Sequence, residues 1–147
     1  MNTVHTLQEY VDALRAAGIL TGCTASEALL GRGVECLTYD TRTLRENALF
    51  ICKGAHFKEE YLRDALSRGA FAYVAEQQHD VDAPCILVSD TRYSLVVLGQ
   101  LFFDHVTDKL TSVGITGTKG KSTTAYYVRY ILNDWLRAEN KPECAIL

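Results

Sequence analysis

The sequence has no Cys-x-x-Cys pair, no long apolar run and no marked excess of either charge. Its five cysteines, at 23, 36, 52, 85 and 144, lack metal-ligand spacing, and several stand inside apolar runs. Free thiols, several of them buried, are therefore expected in place of disulfides or a zinc site. No stretch approaches the ~18 apolar residues of a membrane-spanning helix. The start, Met1 to Thr6, has no basic-then-apolar signal plan, so a cytoplasmic location without a membrane span is expected. Fifteen Lys and Arg against eighteen Asp and Glu give a net charge of −3, which supplies no electrostatic reason to expect nucleic acid. Neither an internal repeat nor a low-complexity segment is present.

What is there is ordinary globular material. The 147 residues are 48% apolar and 22% charged, enough for a proper core. Thr6 reads as the cap of a helix whose Leu7, Tyr10, Val11, Leu14 and Ala17 recur at helical spacing, with Gly18 as the stop. Residues 19–33 are punctuated by Gly and Thr and read as irregular. Val34 to Tyr39 and Ala48 to Cys52 read as strands. A second amphipathic helix carries Tyr61, Leu62, Ala65 and Leu66 on one face and stops at Gly69. Strands follow at 70–75 and 85–88, and Asp90 caps a helix carrying Leu95, Leu98, Leu101 and Phe102 inward. Interleaved strands and helices argue an α/β domain with helices packed on a mixed or parallel sheet.

Asp104 to Lys109 is short and polar, and marks the expected junction between domains 1–107 and 108–147. Leu110 to Ile115 reads as a strand, and a helix follows from Lys121 through Trp135 until Asn140-Lys141-Pro142. Glu143 to Leu147 reads as the opening of another strand. One β–loop–α unit is less than a nucleotide-binding domain, so the chain is expected to be the N-terminal piece of a longer protein.

Between that strand and helix stands GITGTKGKSTT, Gly114 to Thr124. Strand, glycine-rich turn, Gly-Lys-Ser and helix is the layout of a phosphate-binding loop. Glycines admit phosphate oxygens close to the backbone, and the new helix aims free N–H groups at them. Lys121 would neutralise β/γ-phosphate charge and Ser122 would reach Mg²⁺. The strict spacing is broken, because Ile115 stands where the first glycine belongs. Lys119 adds a cation that either supports phosphate binding or is simply solvated. The competing reading is a β–α turn that binds nothing.

A second constellation pairs Tyr39-Asp40-Thr41-Arg42 with Lys53-Gly54-Ala55-His56-Phe57. Both follow strands, at the edge where an α/β sheet binds ligands. Their hydroxyl, guanidinium, imidazole and aromatic groups suit a nucleoside diphosphate. Equally, Asp40 and Arg42 read as a turn ion pair and His56 as a surface residue. His5, His79 and His105 are scattered without ligand spacing, and no Cys or Ser has a recognisable base partner.

Taken together, Thr38-Tyr-Asp-Thr-Arg42, Ala48-Leu-Phe-Ile-Cys-Lys-Gly54, Ser67-Arg-Gly-Ala70, Val74-Ala-Glu76 and the loop resemble the Mur ligases, from about residue 36 onward. The resemblance is strongest to the members that add the third amino acid, L-lysine or meso-diaminopimelate, to UDP-MurNAc-L-Ala-D-Glu. It implies an N-terminal UDP-substrate domain, followed by the first β–loop–α of an ATPase domain that this chain leaves incomplete. It further implies an ATP-dependent ligation through an acyl phosphate. Carried over by position, Tyr39, Thr41, Ala55, His56 and Phe57 contact the UDP-substrate. Gly117, Thr118, Lys119, Gly120, Lys121, Ser122 and Thr123 hold ATP, with Lys121 catalytic and Ser122 near Mg²⁺. Where the family usually has Ser, Asn and Asp-Gly, this chain has Thr41, Lys119 and Lys58-Glu59. By itself the chain is expected to bind the UDP-substrate weakly, to bind little ATP and not to ligate. Two other readings stay open. One is the ligase that adds D-Ala-D-Ala, whose loop typically carries serines where Thr118 and Lys119 stand. The other is a non-catalytic UDP-sugar- or nucleotide-binding module.

Overall fold

The computed structural model describes residues 3–54 and 57–146, in two compact units, Met1–Lys109 and Leu110–Leu147. The first unit is a three-layer α/β/α sandwich. Helix α1 (Leu7–Ala16) opens with a full capping box, in which the Thr6 side chain accepts from the Glu9 N–H while the Glu9 carboxylate accepts from the Thr6 N–H. Five strands follow in the spatial order β1-β5-β4-β3-β2: β1 (Leu20–Cys23), β2 (Cys36–Thr38), β3 (Ala48–Ile51), β4 (Ala70–Ala75) and β5 (Cys85–Val88). β2 to β5 run parallel, and β1 closes one edge antiparallel to β5, so the sheet is mixed.

Alternation along the strands sorts side chains into two cores. Leu49, Ile51, Ala72, Val74, Ile86 and Val88 face α1 and the helix Thr91–Phe102. Ala48, Phe50, Tyr73, Ala75 and Cys85 face the helix Glu59–Ser67. A short helix, α2 (Glu27–Leu30), precedes β2, so those longer helices are α3 (Glu59–Ser67) and α4 (Thr91–Phe102). Of the stripe expected on α4, Leu98 is fully buried and Leu95, Leu101 and Phe102 are partly so.

The reading of 19–33 as irregular is corrected by β1 and α2. β1 is a four-residue edge strand that hides one side only, and its register with β5 shifts between Leu20 and Gly22. So little burial leaves almost no apolar alternation to read.

Tyr10 is fully buried, and its hydroxyl has no hydrogen-bond partner among the described residues. Burial raises its pKa, first through desolvation and then through the nearby Glu9 and Asp104 carboxylates. An unpaired buried hydroxyl costs its desolvation without return. Tyr10→Phe is accordingly expected to raise stability by about 1 kcal/mol in a urea titration. A loss instead would show that the hydroxyl has a partner.

In the second unit a helix, α5 (Lys121–Ala138), carries the only buried residue among those described there, Asn133. The strands expected at Leu110–Ile115 and Glu143–Leu147 do not form among the described residues, and Leu147 lies outside them. A strand exists by its ladder, and neither segment has a neighbouring strand to bond. The Asn133 amide stands in for one: its Nδ2 donates to the Ala145 carbonyl at 3.2 Å, and the Ala145 N–H donates to its Oδ1 at 3.0 Å.

Candidate functional site

The carboxyl ends of the parallel strands converge on one edge, the place where open α/β sheets bind ligands. After β2 the chain turns through a 3₁₀ helix, Thr41–Thr43, capped by the Asp40 side chain, which accepts from the Arg42 N–H at 2.9 Å. The Thr38 hydroxyl braces the turn by accepting from the Asp40 N–H at 3.0 Å and meeting the Thr43 hydroxyl at 2.8 Å. After β3, Lys53 and Gly54 leave the sheet beside it. The two turns frame a cavity of about 480 Å³ lined by Tyr39, Thr41, Arg42, Phe50, Lys53 and Phe57 among others. Its floor is apolar (Phe50 is buried) and its rim is charged.

Tyr39 stands on the rim, 54% exposed, with the Lys53 ammonium 4.8 Å from its ring centroid. Arg42 forks onto both Asp40 oxygens, Nη2 to Oδ2 at 2.6 Å and Nε to Oδ1 at 3.0 Å. This contact, and then the Arg42 backbone N–H, holds the Asp40 pKa at about 2. The turn ion pair read from the sequence is therefore present.

A second cavity, also of about 480 Å³, lies along the same edge and shares Gly54 and Phe57 with the first. Here the His79 ring lies 5.3 Å from Phe57, and its backbone N–H donates to the Tyr73 hydroxyl at 3.0 Å. Glu76 accepts from both the N–H and the hydroxyl of Thr91, at 3.0 and 2.9 Å. With Asp90 accepting from the next two N–H groups, the α4 N-terminus is already filled by carboxylates and is closed to an anion. Sequence spacing missed His79, which follows β4; the rule that ligands gather after parallel strands would have placed it at this edge.

Of the residues carried over for the UDP-substrate, Tyr39, Thr41 and Phe57 line one cavity. Ala55 and His56 lie outside the described residues. Cys52 and Cys85 are buried beneath the edge; burial pushes the Cys52 thiol up to about 12 and raises that of Cys85. Neither is a nucleophile at neutral pH.

In the second unit the glycine-rich loop enters α5 through Gly120, its N-cap, at φ 77°, after Gly117 at φ 152°. Both backbones lie where an L side chain is strained. Lys121 Nζ donates to the Gly117 carbonyl at 2.6 Å, folding the cation over its own turn. Thr118, Lys119, Ser122 and Thr123 are exposed around the helix N-terminus. No group of three or more His, Cys, Asp or Glu side chains suited to a metal occurs among the described residues. Nor is any helix among them long and apolar enough to cross a membrane.

No protein-family model matches the chain. It is 43% identical over 111 residues to the UDP-N-acetylmuramoyl-L-alanyl-D-glutamate--L-lysine ligase of Enterococcus faecalis, covering 75% of this chain and 22% of that protein. It is 40% identical over 101 residues to the ligase of the same name from Streptococcus mutans, covering 69% of the chain and 21% of the relative. The UDP-N-acetylmuramyl-tripeptide synthetase of Ligilactobacillus salivarius matches at 43% over 100 residues, 67% of the chain and 19% of the relative. In fold, the chain resembles the UDP-N-acetylmuramoylalanyl-D-glutamyl-2,6-diaminopimelate--D-alanyl-D-alanyl ligase of Acinetobacter baumannii. That match has a TM-score of 0.66 at 21% identity, over 89% of this chain and 28% of that one. Over two thirds or more of its length the chain is thus similar in sequence to Mur ligases. It spans about a fifth of the length of the curated relatives it matches.

Proposed function

We propose that residues 1–107 form the UDP-substrate domain of a Mur ligase that adds the third amino acid to UDP-MurNAc-L-Ala-D-Glu. Residues 108–147 are then the first part of its ATP-binding domain. One observation carries the reading: Tyr39, Thr41 and Phe57, which stand apart in sequence, line a single cavity at the carboxyl edge of the sheet. An aromatic platform, a hydroxyl and a cation at the rim are what a uridine diphosphate requires. The names of the relatives at 40–43% identity favour L-lysine as the added residue.

ATP belongs to the loop. The N–H groups of α5 after Gly120 would face its phosphates, and Lys121 would leave the Gly117 carbonyl to pair with them. The donor set fits Mg²⁺ only jointly with the nucleotide, because Ser122 offers one hydroxyl oxygen and phosphates must supply the others. Mg²⁺ bound there would spread charge during phosphoryl transfer to the substrate carboxylate, whose acyl phosphate the incoming amine then attacks.

The test is to map UDP onto the ¹⁵N-labelled chain by NMR. Amide shifts concentrated at 39–42 and 53–57 support the reading. Shifts at the amino ends of the parallel strands, near Gly33 and Gly69, or none at all, overturn it.

A further inference from the structure

Two cations line the Tyr39 cavity, and the geometry gives them different work. We propose that Lys53, and not Arg42, is the side chain that reads the diphosphate, and that Arg42 is an internal latch of its own turn. The proposal rests on the nucleotide-sugar reading above.

Arg42 has the planar fork usually associated with phosphate, but its Nε/Nη2 edge is engaged within its own turn. Its Nε and Nη2 donate to the two oxygens of Asp40. Asp40 also accepts from the Arg42 backbone N–H, so the carboxylate is fixed by the 3₁₀ turn itself and cannot swing away without uncapping it. The pair sums to no charge. A phosphate approaching the guanidinium would meet the Asp40 carboxylate beside it, and the 87% exposed Arg42 side chain is heavily screened by water.

Lys53 differs on each count. It forms no salt bridge among the described residues. It is half-buried at the end of β3, where its charge is screened less. Its ammonium lies over the face of Tyr39, a contact that attracts the charge without engaging its N–H donors in a hydrogen bond. The contact also pins the charge to one face of the ring. At 54% exposure, Tyr39 keeps ring surface on which a base could stack. Platform and charge thus sit 4.8 Å apart, within the reach of a single nucleotide. A compact ammonium on a flexible stem suits a diphosphate as a point charge.

The test is calorimetric titration of the full 147-residue chain with UDP and with uridine, circular dichroism confirming that each variant is folded. Lys53→Met is expected to lower UDP affinity about tenfold while uridine affinity holds within about twofold. The double variant Asp40→Asn, Arg42→Gln keeps the turn's cap and removes both charges, and is expected to preserve the wild-type ratio of UDP to uridine affinity. Retention of that ratio by Lys53→Met, or its collapse in the double variant, overturns the assignment of Lys53 while leaving the site reading intact. Failure of the wild-type chain to bind UDP at all overturns both.

Discussion

Phe50→Ala is expected to destabilise the first unit by about 3–5 kcal/mol, a large part of the ~5–15 kcal/mol that a domain of this size holds in reserve. Phe50 is 1% exposed at the centre of β3, paired in register with Thr38 on one side and Tyr73 on the other. Its ring belongs to the core under α3, with Leu62, Ala65 and Cys85, and also forms the floor of the cavity. Truncation removes apolar area and leaves a void that a central strand, bonded on both sides, cannot close. A urea titration should show a lowered midpoint with an unchanged slope, because the same surface is exposed on unfolding. A cost below about 1.5 kcal/mol would mean that the site can collapse onto α3, and that the cavity floor is softer than the packing indicates.

Tyr39→Ala is expected to do the reverse, weakening UDP binding by about 1–3 kcal/mol, roughly 5- to 150-fold, through the lost stacking surface. Its effect on stability should stay within about 0.5 kcal/mol, since the residue is more than half exposed and its ring lies against the Lys53 ammonium at the rim. Tyr39→Phe keeps the stacking face and should bind UDP nearly as the parent does. If Tyr39→Ala binds UDP unchanged in a calorimetric titration, the ring is a rim residue and not the platform for the base.

The pattern of the sheet was legible where burial was strong. Ala48–Ile51 is buried at every position and reads as a central strand without ambiguity. The Thr6 and Asp90 caps likewise announce α1 and α4, because a short polar side chain before an apolar period has few other uses. Legibility failed where an element depends on a partner instead of on its own pattern. β1 pairs along one edge only, and Leu110–Ile115 has strand composition without a ladder. At the site, the sequence presented Tyr39, Thr41 and Phe57 as candidates through the turns that follow two strands. It also offered the Asp40–Arg42 turn pair as one reading, but could not show that Lys53 reaches across to Tyr39. That is a fact of side-chain reach between turns, and no spacing rule encodes it.

The second unit bears on what the chain can do by itself. Its loop turns at positive φ through Gly117 and Gly120, yet only Asn133 is buried among its described residues. A site without a packed shell orders itself at the expense of binding, so little affinity for ATP is expected from this length of chain. The central claim is therefore that the UDP cavity is the competent site. Calorimetric titration of the 147-residue chain with UDP and, separately, with ATP and Mg²⁺ tests it most directly. The account predicts saturable binding of UDP, and of ATP at least about tenfold weaker. Micromolar ATP affinity with no measurable UDP binding would contradict it.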